Sequence, residues 1–341
     1  MGIDLGDIIP RRKVELSSLS NKKMAVDAYN ALYQFLAIIR GVGGEHLKDS
    51  QGRVTSHLSG LFYRNINLME LNIKLVYVFD GAPPELKTEE IERRRQVKVE
   101  ATRRYHEAVA VGDMPSARKY AEASTSLRID MVSEAKRLLD AMGIPWYDAP
   151  SEGEAQASVM AAEGTVDAVA SQDHDSLLFG APLLVRNLTI SGRRRLPSKN
   201  VFIDVEPESI SLSETLQSLQ LSREQLVDLG ILLGTDFNPD GFKGIGPARA
   251  LKFMKTYGSL EKVEPLKEDL SRVDYPAIRR IFLSPPADKG VKPDWKDYRP
   301  DAVADFLVGE HSFSAERVDA ASKRILKLEG SKSDTLEKWF G

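Results

Sequence analysis

The sequence predicts an α/β fold with a largely parallel central sheet and helices on both of its faces. Four short apolar runs of β type, KKMAVDAYN, IKLVYVFDG, VDAVASQDHD and PLLVRNL, are separated by longer stretches with helical features. Strands that alternate with helices form parallel sheets, because the connecting helices pack on the sheet faces. The 341 residues, of which 42% are hydrophobic, are enough to bury a core of this kind.

The elements follow from the periodicity of each segment. The four strands lie within residues 22–30, 73–81, 166–175 and 182–188. Between the second and third strands, MVSEAKRLLDAMG has apolar residues at helical spacing, which predicts a helix over 131–143. Residues 84–128 are highly charged and hold few large apolar residues, so we expect a helical segment that packs weakly and projects from the domain. Residues 260–328 show no single helical or strand pattern and contain proline-rich loops.

The composition excludes several classes of protein. The chain has no cysteine, which rules out disulfides, thiolate zinc sites and a thiol nucleophile and fits a reducing compartment. No apolar run approaches the roughly 18 residues of a membrane span. The acids Asp4 and Asp7 near the start do not fit a signal peptide. We therefore expect a cytoplasmic protein that does not associate with membranes.

The charge of the chain is unevenly distributed. The formal net charge is −3, yet residues 93–104 hold six lysines and arginines against one acid. Residues 191–199 hold four against none. Because the local electrostatic potential decides where a polyanion binds, these basic segments are compatible with nucleic acid binding despite the negative net charge of the chain.

Carboxylates follow three of the predicted strands, at the point where each strand ends. Asp27 follows MAV, Asp80 follows VYVF and Asp173 follows AVASQ. Ligands of an open α/β sheet collect beyond the carboxyl ends of its strands, so these three acids should converge at one edge. Four further acids lie near helix ends or close to Asp173 in the sequence, namely Glu152, Glu154, Asp175 and Asp236.

Such a set of acids has a plausible chemical purpose. Clustered carboxylates repel one another unless cations neutralise them, and hard oxygen ligands select Mg²⁺ or Mn²⁺. Two such ions about 4 Å apart would activate water and stabilise the leaving oxygen in phosphodiester hydrolysis. The spacing of the acids therefore favours a metal site for the hydrolysis of phosphodiesters.

Each acid also has a structural interpretation. Ser151 and Glu154 match the S-x-x-E capping box of a helix N-terminus. A single Asp after a strand is commonly a loop or cap residue, and His174 is expected to be structural rather than a ligand. The combination of three strand-end acids and two acid pairs has no common structural explanation, so the metal site is the preferred interpretation.

The segment GFKGIGPARALKFMK is interpreted as a Gly-rich hairpin that enters a helix. DFNPDG at 236–241 matches the start of a calcium-binding EF-hand loop, but the twelfth position is Pro247 instead of Glu. GIGPAR contains G-x-G, yet Arg249 replaces the third glycine of a dinucleotide motif. Backbone N–H groups of the hairpin would meet a DNA phosphate at the helix N-terminus, with Lys243, Arg249 and Lys252 nearby. The alternative is an ordinary capping turn.

Six segments resemble, in chain order, the motifs of flap endonucleases of the XPG-type 5′ nuclease family. They are MAVDAYNALYQFL, TSHLSGLFYRNINL, VYVFDGAPPELK, MGIPWYDAPSEGEAQAS, DHDSLLFG and ILLGTDFNPDGFKGIGPARA. The resemblance covers nearly the whole chain and is strongest to the archaeal branch, since the chain stops just after SDTLEKWFG.

The resemblance implies a role for the acids and for the basic segment. In the family, seven carboxylates bind two Mg²⁺ ions, for which Mn²⁺ can substitute. The segment at about 84–128 corresponds to the family's helical arch, through which the flap threads. Lys87 and Arg94 fall where the family places cations on the scissile phosphate, although a solvated helix face is the alternative. All seven carboxylate positions are filled here, by Asp27, Asp80, Glu152, Glu154, Asp173, Asp175 and Asp236.

The resemblance also implies contacts with DNA. Tyr33 and Arg40 match positions that meet DNA near the scissile nucleotide, with Tyr33 stacking on a base. Without the family, Tyr33 among apolar neighbours would be interpreted as core. The Gly-rich hairpin resembles a helix–two-turn–helix that holds duplex DNA with the help of a monovalent cation. Its expected contacts are Lys243, Gly244, Gly246, Arg249 and Lys252.

From these features we expect three regions. Residues 1–255 form the nuclease core, with the arch at about 84–128 and the DNA-binding hairpin at about 236–255. Residues 256–328 form an accessory region packed on the core, and residues 329–341 a flexible tail. The tail resembles the family's peptide for the sliding clamp PCNA through Leu336, Trp339 and Phe340, although Ser333 stands where the family has Gln. We expect a monomer.

The predicted function is a structure-specific 5′ flap endonuclease with associated 5′–3′ exonuclease activity, in Okazaki fragment processing and repair. A 5′ exonuclease or a bubble-cutting nuclease on the same fold is the closest alternative. A non-catalytic junction-binding protein would gain nothing from concentrated negative charge facing DNA. A metal phosphatase with an aspartyl nucleophile would require D-x-D after the first strand, where the chain has Tyr29.

Overall fold

Nine strands and fourteen α-helices are present in the described part of the chain. The structure is a computed structural model that describes residues 3, 5, 6, 8–41, 44–124, 126–190, 192–195 and 202–340, without the side chains of 118, 122, 192–195, 202–204 and 329–340. The strands are β1 Arg12–Lys13, β2 Lys23–Asp27, β3 Lys74–Phe79, β4 Trp146–Asp148, β5 Ala168–Ala170, β6 Leu183–Arg186, β7 Gly192–Arg195, β8 Phe202–Val205 and β9 Glu208–Ser211.

The helices connect and cover these strands. They are α1 Ala28–Ile38, α2 Ser56–Glu70, α3 Thr88–Ala110, α4 Met114–Ala123, α5 Ile129–Ala141, α6 Gly153–Ala162, α7 Asp175–Leu178, α8 Leu212–Leu219, α9 Arg223–Leu233, α10 Pro247–Tyr257, α11 Lys267–Leu270, α12 Tyr275–Leu283, α13 Pro300–Ala304 and α14 Ala315–Phe340. Short 3₁₀ turns lie at Leu16–Leu19, Glu85–Lys87, Leu260–Lys262 and Glu264–Leu266, and a π-helix at Asp305–Glu310. None of the described helices is both long and apolar enough to cross a bilayer.

The main sheet has seven strands in the order β1-β9-β6-β5-β2-β3-β4. The five strands β6, β5, β2, β3 and β4 pair in parallel. At one margin of the sheet, β9 pairs antiparallel with β6, and β1 pairs antiparallel with β9. The prediction of a largely parallel sheet is confirmed. The short edge strand β4, the antiparallel margin and the separate β7–β8 ribbon were not predicted. Strands β1, β7 and β9 are short and polar, and β4 and β8 are only three and four residues long.

Alternate residues of the central strands face opposite layers of helices, as the period of two requires. Met24 and Val26 of β2 pack in one core with α1, α2 and α5. Ala25 of β2 and Val78 of β3 pack in another with α6. The strands are apolar on both sides because helices cover both faces. The predicted helices on both faces are therefore present.

The charged segment after β3 is helical, as predicted. The 3₁₀ turn Glu85–Lys87 leads into α3, which packs along α4. Along the length of α3 only Glu90, Ala101 and Ala108 are buried. The turn between the two helices ends at Gly112, whose φ of +72° places it in the left-handed region that glycine adopts most readily. The pair forms a two-helix projection with few large apolar contacts.

The C-terminal region packs back on the sheet and its helices. Residues 284–299 run past the start of β3, where Trp295 Nε1 donates to the Leu75 carbonyl at 2.7 Å. Gln156 on α6 exchanges two hydrogen bonds with the backbone of Asp288, at 2.7 and 2.8 Å. Farther on, α14 packs against α2. Its backbone is helical through Phe340, and the flexibility expected of the tail from residue 329 stays a prediction.

Candidate active site

The three strand-end acids meet at the carboxyl edge of the sheet. Asp27 ends β2, and its Oδ1 accepts the N–H of Asn30 at 3.0 Å, so the residue also caps α1. Asp80 follows β3 directly, and Asp173 lies three residues after β5. Burial, with the charges of Asp80 and Asp173, raises the pKa of Asp27 well above its usual value. The parallel register of β5, β2 and β3 thus places three charges within reach of one another.

Glu152 and Glu154 enter the same region from the start of α6. The N-cap residue is Glu152, and no side chain caps this helix, so the capping-box interpretation of Ser151 and Glu154 is wrong. Glu154 Oε1 instead accepts hydrogen bonds from the N–H and hydroxyl of Ser176. Glu154 therefore faces the carboxylates after β5 rather than its own helix end.

A glycine allows the two sides of the site to approach. Gly153 N donates to Asp80 Oδ1 at 2.6 Å. A Cβ atom at Gly153 would lie 2.9 Å from that oxygen and 3.0 Å from the Val78 carbonyl. Any side chain at this position would push α6 away from β3, so the close approach of Asp80 and Glu152 requires glycine here.

Asp175 and its neighbour His174 are held by the N-terminal segment. Asp175 Oδ1 accepts the N–H of Ile3 at 2.7 Å, and its side chain is buried. Burial and the charges of Asp173 and Asp236 raise the pKa of Asp175 to about 7. His174 Nδ1 lies 3.1 Å from the Ile3 carbonyl, and the ring is buried. His174 is thus a buried side chain held against the N-terminal segment, and a solvent-facing position is excluded.

Two cations at the base of the projection face these carboxylates. Lys87 Nζ lies 2.5 Å from Glu152 Oε2 and 3.1 Å from Asp236 Oδ2. A terminal nitrogen of Arg94 also pairs with Asp236. Burial alone would raise the pKa of Asp236, but Lys87 and Arg94 bring it below its usual value. The solvated-face alternative does not hold for Lys87, whose side chain is only 14% exposed.

The seven acids fit a divalent cation by their chemistry. Their donors are all hard carboxylate oxygens, the type that Mg²⁺ and Mn²⁺ prefer. Burial and the charges of Asp173, Asp175 and Asp27 raise the pKa of Glu154 well above its usual value. A buried cluster of like charges of this kind is relieved by cations. In the described part of the chain, no group of three or more of these acids is arranged so that it could hold a metal ion as it stands.

Tyr33 lies in α1 and Arg40 lies just after the end of this helix, and the two contact α3 and α4 respectively. Tyr33 is half-buried, and Lys98 Nζ lies 3.1 Å from its hydroxyl and 4.5 Å from its ring centroid. Arg40 donates to the carbonyls of Ala37, Gly44 and Ala121. Arg40 therefore joins α1 to α4, a structural role that the sequence did not reveal.

A chain of polar side chains that sequence reasoning missed supports Asp173. Thr189 Oγ1 donates to Gln34 Oε1 at 2.8 Å, and Gln34 Nε2 donates to Asn30 Oδ1 at 2.5 Å. Asn30 Nδ2 in turn donates to Asp173 Oδ2 at 3.2 Å. The only sequence signal is the i, i+4 spacing of Asn30 and Gln34 on the helix that Asp27 begins.

The Gly-rich hairpin has the predicted form. It runs from Asp236 into α10, whose N-cap is Gly246 and whose first residue is Pro247. No side chain caps this helix, so its first backbone N–H groups are left for another acceptor. Gly244 has a φ of +77°, and Arg249 donates back to its carbonyl at 3.3 Å. Lys243 in the hairpin and Lys252 in α10 both have exposed side chains.

The clamp-binding prediction concerns Leu336, Trp339 and Phe340. These residues lie in the last turns of α14, and their side chains are outside the described part of the structure.

Comparison with known families and proteins agrees with this architecture. The XPG N-terminal domain family matches residues 1–101, and the XPG I-region family matches residues 143–236. Flap endonuclease 1 of Nitrosopumilus maritimus is 51% identical over 340 residues, with both chains fully covered. The chain belongs to the flap endonuclease 1 family.

A further relative and two solved structures are also similar to this chain. The protein of Caldivirga maquilingensis is 55% identical over 350 residues, with both chains fully covered. The solved flap endonuclease-1 from Methanococcus jannaschii aligns with a TM-score of 0.76 and 39% identity, covering 97% of this chain and all of that one. The catalytic core of Rad2 in complex with a DNA substrate aligns with a TM-score of 0.73 and 25% identity, covering 95% of this chain and all of that one.

Proposed function

We propose that this chain is a structure-specific 5′ flap endonuclease that hydrolyses a DNA phosphodiester where a 5′ single strand leaves the duplex. The observation that carries the proposal is the meeting of seven carboxylates with Lys87 and Arg94 at the base of the α3–α4 projection. Anionic ligands for cations and cationic donors for a phosphate lie side by side there. A small-molecule phosphatase would not need a projecting pair of charged helices beside its site.

The acids would hold two Mg²⁺ ions, with Mn²⁺ as a substitute. When bound, these ions lower the pKa of a water molecule and neutralise charge on the leaving oxygen. The attack of water on phosphorus breaks the bond to the leaving oxygen and leaves a 3′-hydroxyl on one product. Lys87 and Arg94 donate to the scissile phosphate and stabilise the charge that develops on it. The ligands are Asp27, Asp80, Glu152, Glu154, Asp173, Asp175 and Asp236.

The arch formed by α3 and α4 admits the flap, and the hairpin holds the duplex. Tyr33 stacks on a base near the scissile nucleotide, and Arg40 contacts the DNA beside it. At the hairpin, backbone N–H groups of 244–249 meet a phosphate at the start of α10, with a monovalent cation assisting. These contacts carry no sequence information. The hairpin residues are Lys243, Gly244, Gly246, Arg249 and Lys252.

The proposal assigns a different role to each of three regions of the chain. Residues 1–255 are the nuclease core, 256–328 an accessory region and 329–341 a tail that binds the sliding clamp PCNA through Leu336, Trp339 and Phe340. The enzyme acts as a monomer at chromosomal DNA in the cytoplasm, in Okazaki fragment processing and repair, and also degrades 5′ ends as an exonuclease.

The test is cleavage of three matched substrates that share one sequence: a 5′ flap, a bubble and a blunt duplex. With Mg²⁺ we expect rapid cutting of the flap at the junction, slow removal of nucleotides from the duplex end and little cutting of the bubble. EDTA should stop all three reactions. Preferential cutting of the bubble, or cleavage that persists in EDTA, would contradict the proposal.

A further inference from the structure

Glu90 is a buried acid in the first turn of α3, a helix whose surface is otherwise mostly exposed. Its side chain is 5% exposed, while the neighbouring Glu92 is 53% exposed. The family resemblance assigned Lys87 and Arg94 of this segment to the scissile phosphate, but no role was assigned to this acid. A buried carboxylate requires hydrogen-bond donors, and here both donors come from the same helix.

The two carboxylate oxygens of Glu90 each hold a different arginine. Oε1 accepts from Arg94 Nε at 2.6 Å, and Oε2 accepts from Arg93 Nε at 2.7 Å. Because each arginine is held at Nε, its terminal nitrogens point away from Glu90. The terminal nitrogens of Arg94 reach Asp236, and those of Arg93 reach Asp240 at 3.2 Å. Glu90 therefore aims both guanidinium groups at the turn 236–240.

An arginine side chain loses rotamer entropy when it is fixed in one position. If the protein fixes the arginine side chain before substrate binds, this entropy loss does not add to the free-energy barrier of cleavage. Because Glu90 holds Arg94 through Nε, the terminal nitrogens are not taken up by Glu90, and a phosphate can replace Asp236 as their partner in the bidentate geometry that suits guanidinium. Glu90 can thus preorganise Arg94 without occupying the nitrogens that would meet the substrate.

We propose that Glu90 is a positioning residue for cleavage, which acts by orienting the Arg94 guanidinium toward the scissile phosphate. The inference rests on the proposed nuclease function. Glu90 itself touches neither the phosphate nor a metal ligand. Its effect should therefore disappear when Arg94 is absent.

The same helix contains a matched control. Glu100 accepts from Arg103 and Arg104, at the same i+3 and i+4 spacing, with oxygen–nitrogen distances of 2.7 and 2.8 Å. Glu100 is 44% exposed, and the described contacts of this trio stay within the projection. Replacing Glu100 breaks an equivalent pair of ion pairs in α3 without disturbing Arg94.

The experiment measures single-turnover cleavage of a 5′ flap with excess enzyme in Mg²⁺, and flap binding in EDTA. Glu90→Gln keeps the shape of the side chain but removes one acceptor and the charge. We expect it to lower the cleavage rate on the order of 10- to 100-fold, as small misplacements of a catalytic group do, with flap affinity within about twofold. Glu100→Gln should cleave at the wild-type rate.

The decisive measurement is a double-mutant cycle of cleavage rates, in which Glu90→Gln is combined with Arg94→Ala. Glu90→Gln should slow the wild-type enzyme but add nothing in the Arg94→Ala background. An equal slowing in both backgrounds would overturn the proposal, because a general structural role for Glu90 acts with or without Arg94. Wild-type rates for Glu90→Gln or for Arg94→Ala, or an Arg93→Ala variant as slow as Glu90→Gln, would also overturn it. A wild-type enzyme that leaves the flap intact would instead refute the nuclease function.

Discussion

The side chain of Asp27 both caps a helix and belongs to the carboxylate cluster. One carboxylate oxygen caps α1 through the N–H of Asn30, and the charge faces Asp80 and Asp173. The same overlap occurs at Asp80, which accepts from Gly153 N while facing Asp236. A strand-end acid can therefore serve as a cap or loop residue and face the carboxylate cluster with the same side chain. Substitutions that keep the shape of the side chain separate the two roles.

Asp173→Asn should abolish cleavage while leaving flap binding largely intact. The change removes one charge from the cluster and keeps the acceptor for Asn30 Nδ2. Single-turnover cleavage in Mg²⁺ and flap binding in EDTA measure the two effects. Asp167→Asn is the control, since this acid lies at the opposite end of β5 and pairs with Lys22 and the N–H of Lys23. Near-normal turnover of Asp173→Asn at saturating Mg²⁺ would exclude its role as a ligand.

Lys87→Ala and Arg94→Ala should each lower the single-turnover rate by orders of magnitude with little change in flap affinity. The reason is that both cations act on charge that develops only in the transition state. Arg95→Ala is the control, because its side chain is 75% exposed and pairs with Glu92 away from the cluster. If affinity falls while the rate is kept, the two residues only tether the DNA.

At the scale of elements, the periodicity of the sequence predicted the central strands and the helix over 131–143, which the structure has as α5 Ile129–Ala141. The charged arch is helical because its residues are good helix formers and its ion pairs have i+3 and i+4 spacing. The β9 margin and the β7–β8 ribbon were missed. These strands are only two to four residues long, and their pairing is decided by the tertiary fold.

The hairpin before α10 allows a prediction about salt. Lys243→Ala combined with Lys252→Ala should weaken duplex binding equally for all sequences. It should also reduce the slope of log affinity against log salt by roughly 2, since each neutralised phosphate contributes about 0.9. Fluorescence anisotropy over a salt series measures both effects.

Lys262→Ala with Lys267→Ala is the matched control for the hairpin variant. These lysines are exposed in the 3₁₀ and α11 segments that follow α10. The control should keep the wild-type slope. A loss of affinity in the hairpin variant that depends on base sequence would count against phosphate binding.

At the scale of the whole molecule, the two ends of the chain are used differently. Ile3 N holds Asp175, so the N-terminal segment is part of the support of the site. The C-terminal region braces the sheet through Trp295 and Asp288 and ends in α14, which packs on α2. Leu336, Trp339 and Phe340 have i, i+3 and i+4 spacing, which places them on one face of this helix.

Deletion of residues 331–341 should leave cleavage of a short free flap unchanged and remove stimulation by the sliding clamp. The physical reason is that three large apolar residues on one helical face can fill a pocket on a partner without touching the chemistry. Cleavage rates with and without clamp, and the Tm of both proteins, are the measurements. The alternative is that the aromatics pack on the enzyme itself. A truncated enzyme with a lower Tm or intrinsic rate that still responds to the clamp would support it.

The sequence by itself predicted four strands of the parallel sheet, their alternation with helices and the acids at strand ends, because these follow from local periodicity and the rule that parallel strands end at one edge. The resemblance to a family added Lys87 and Arg94. Only the tertiary structure decided which groups touch: Lys87 with Glu152, Arg94 with Asp236, and Thr189 with Gln34. These partners lie 65, 142 and 155 residues apart in the chain. Their pairing depends on how the projection and the sheet margin pack against the core, which no local pattern encodes.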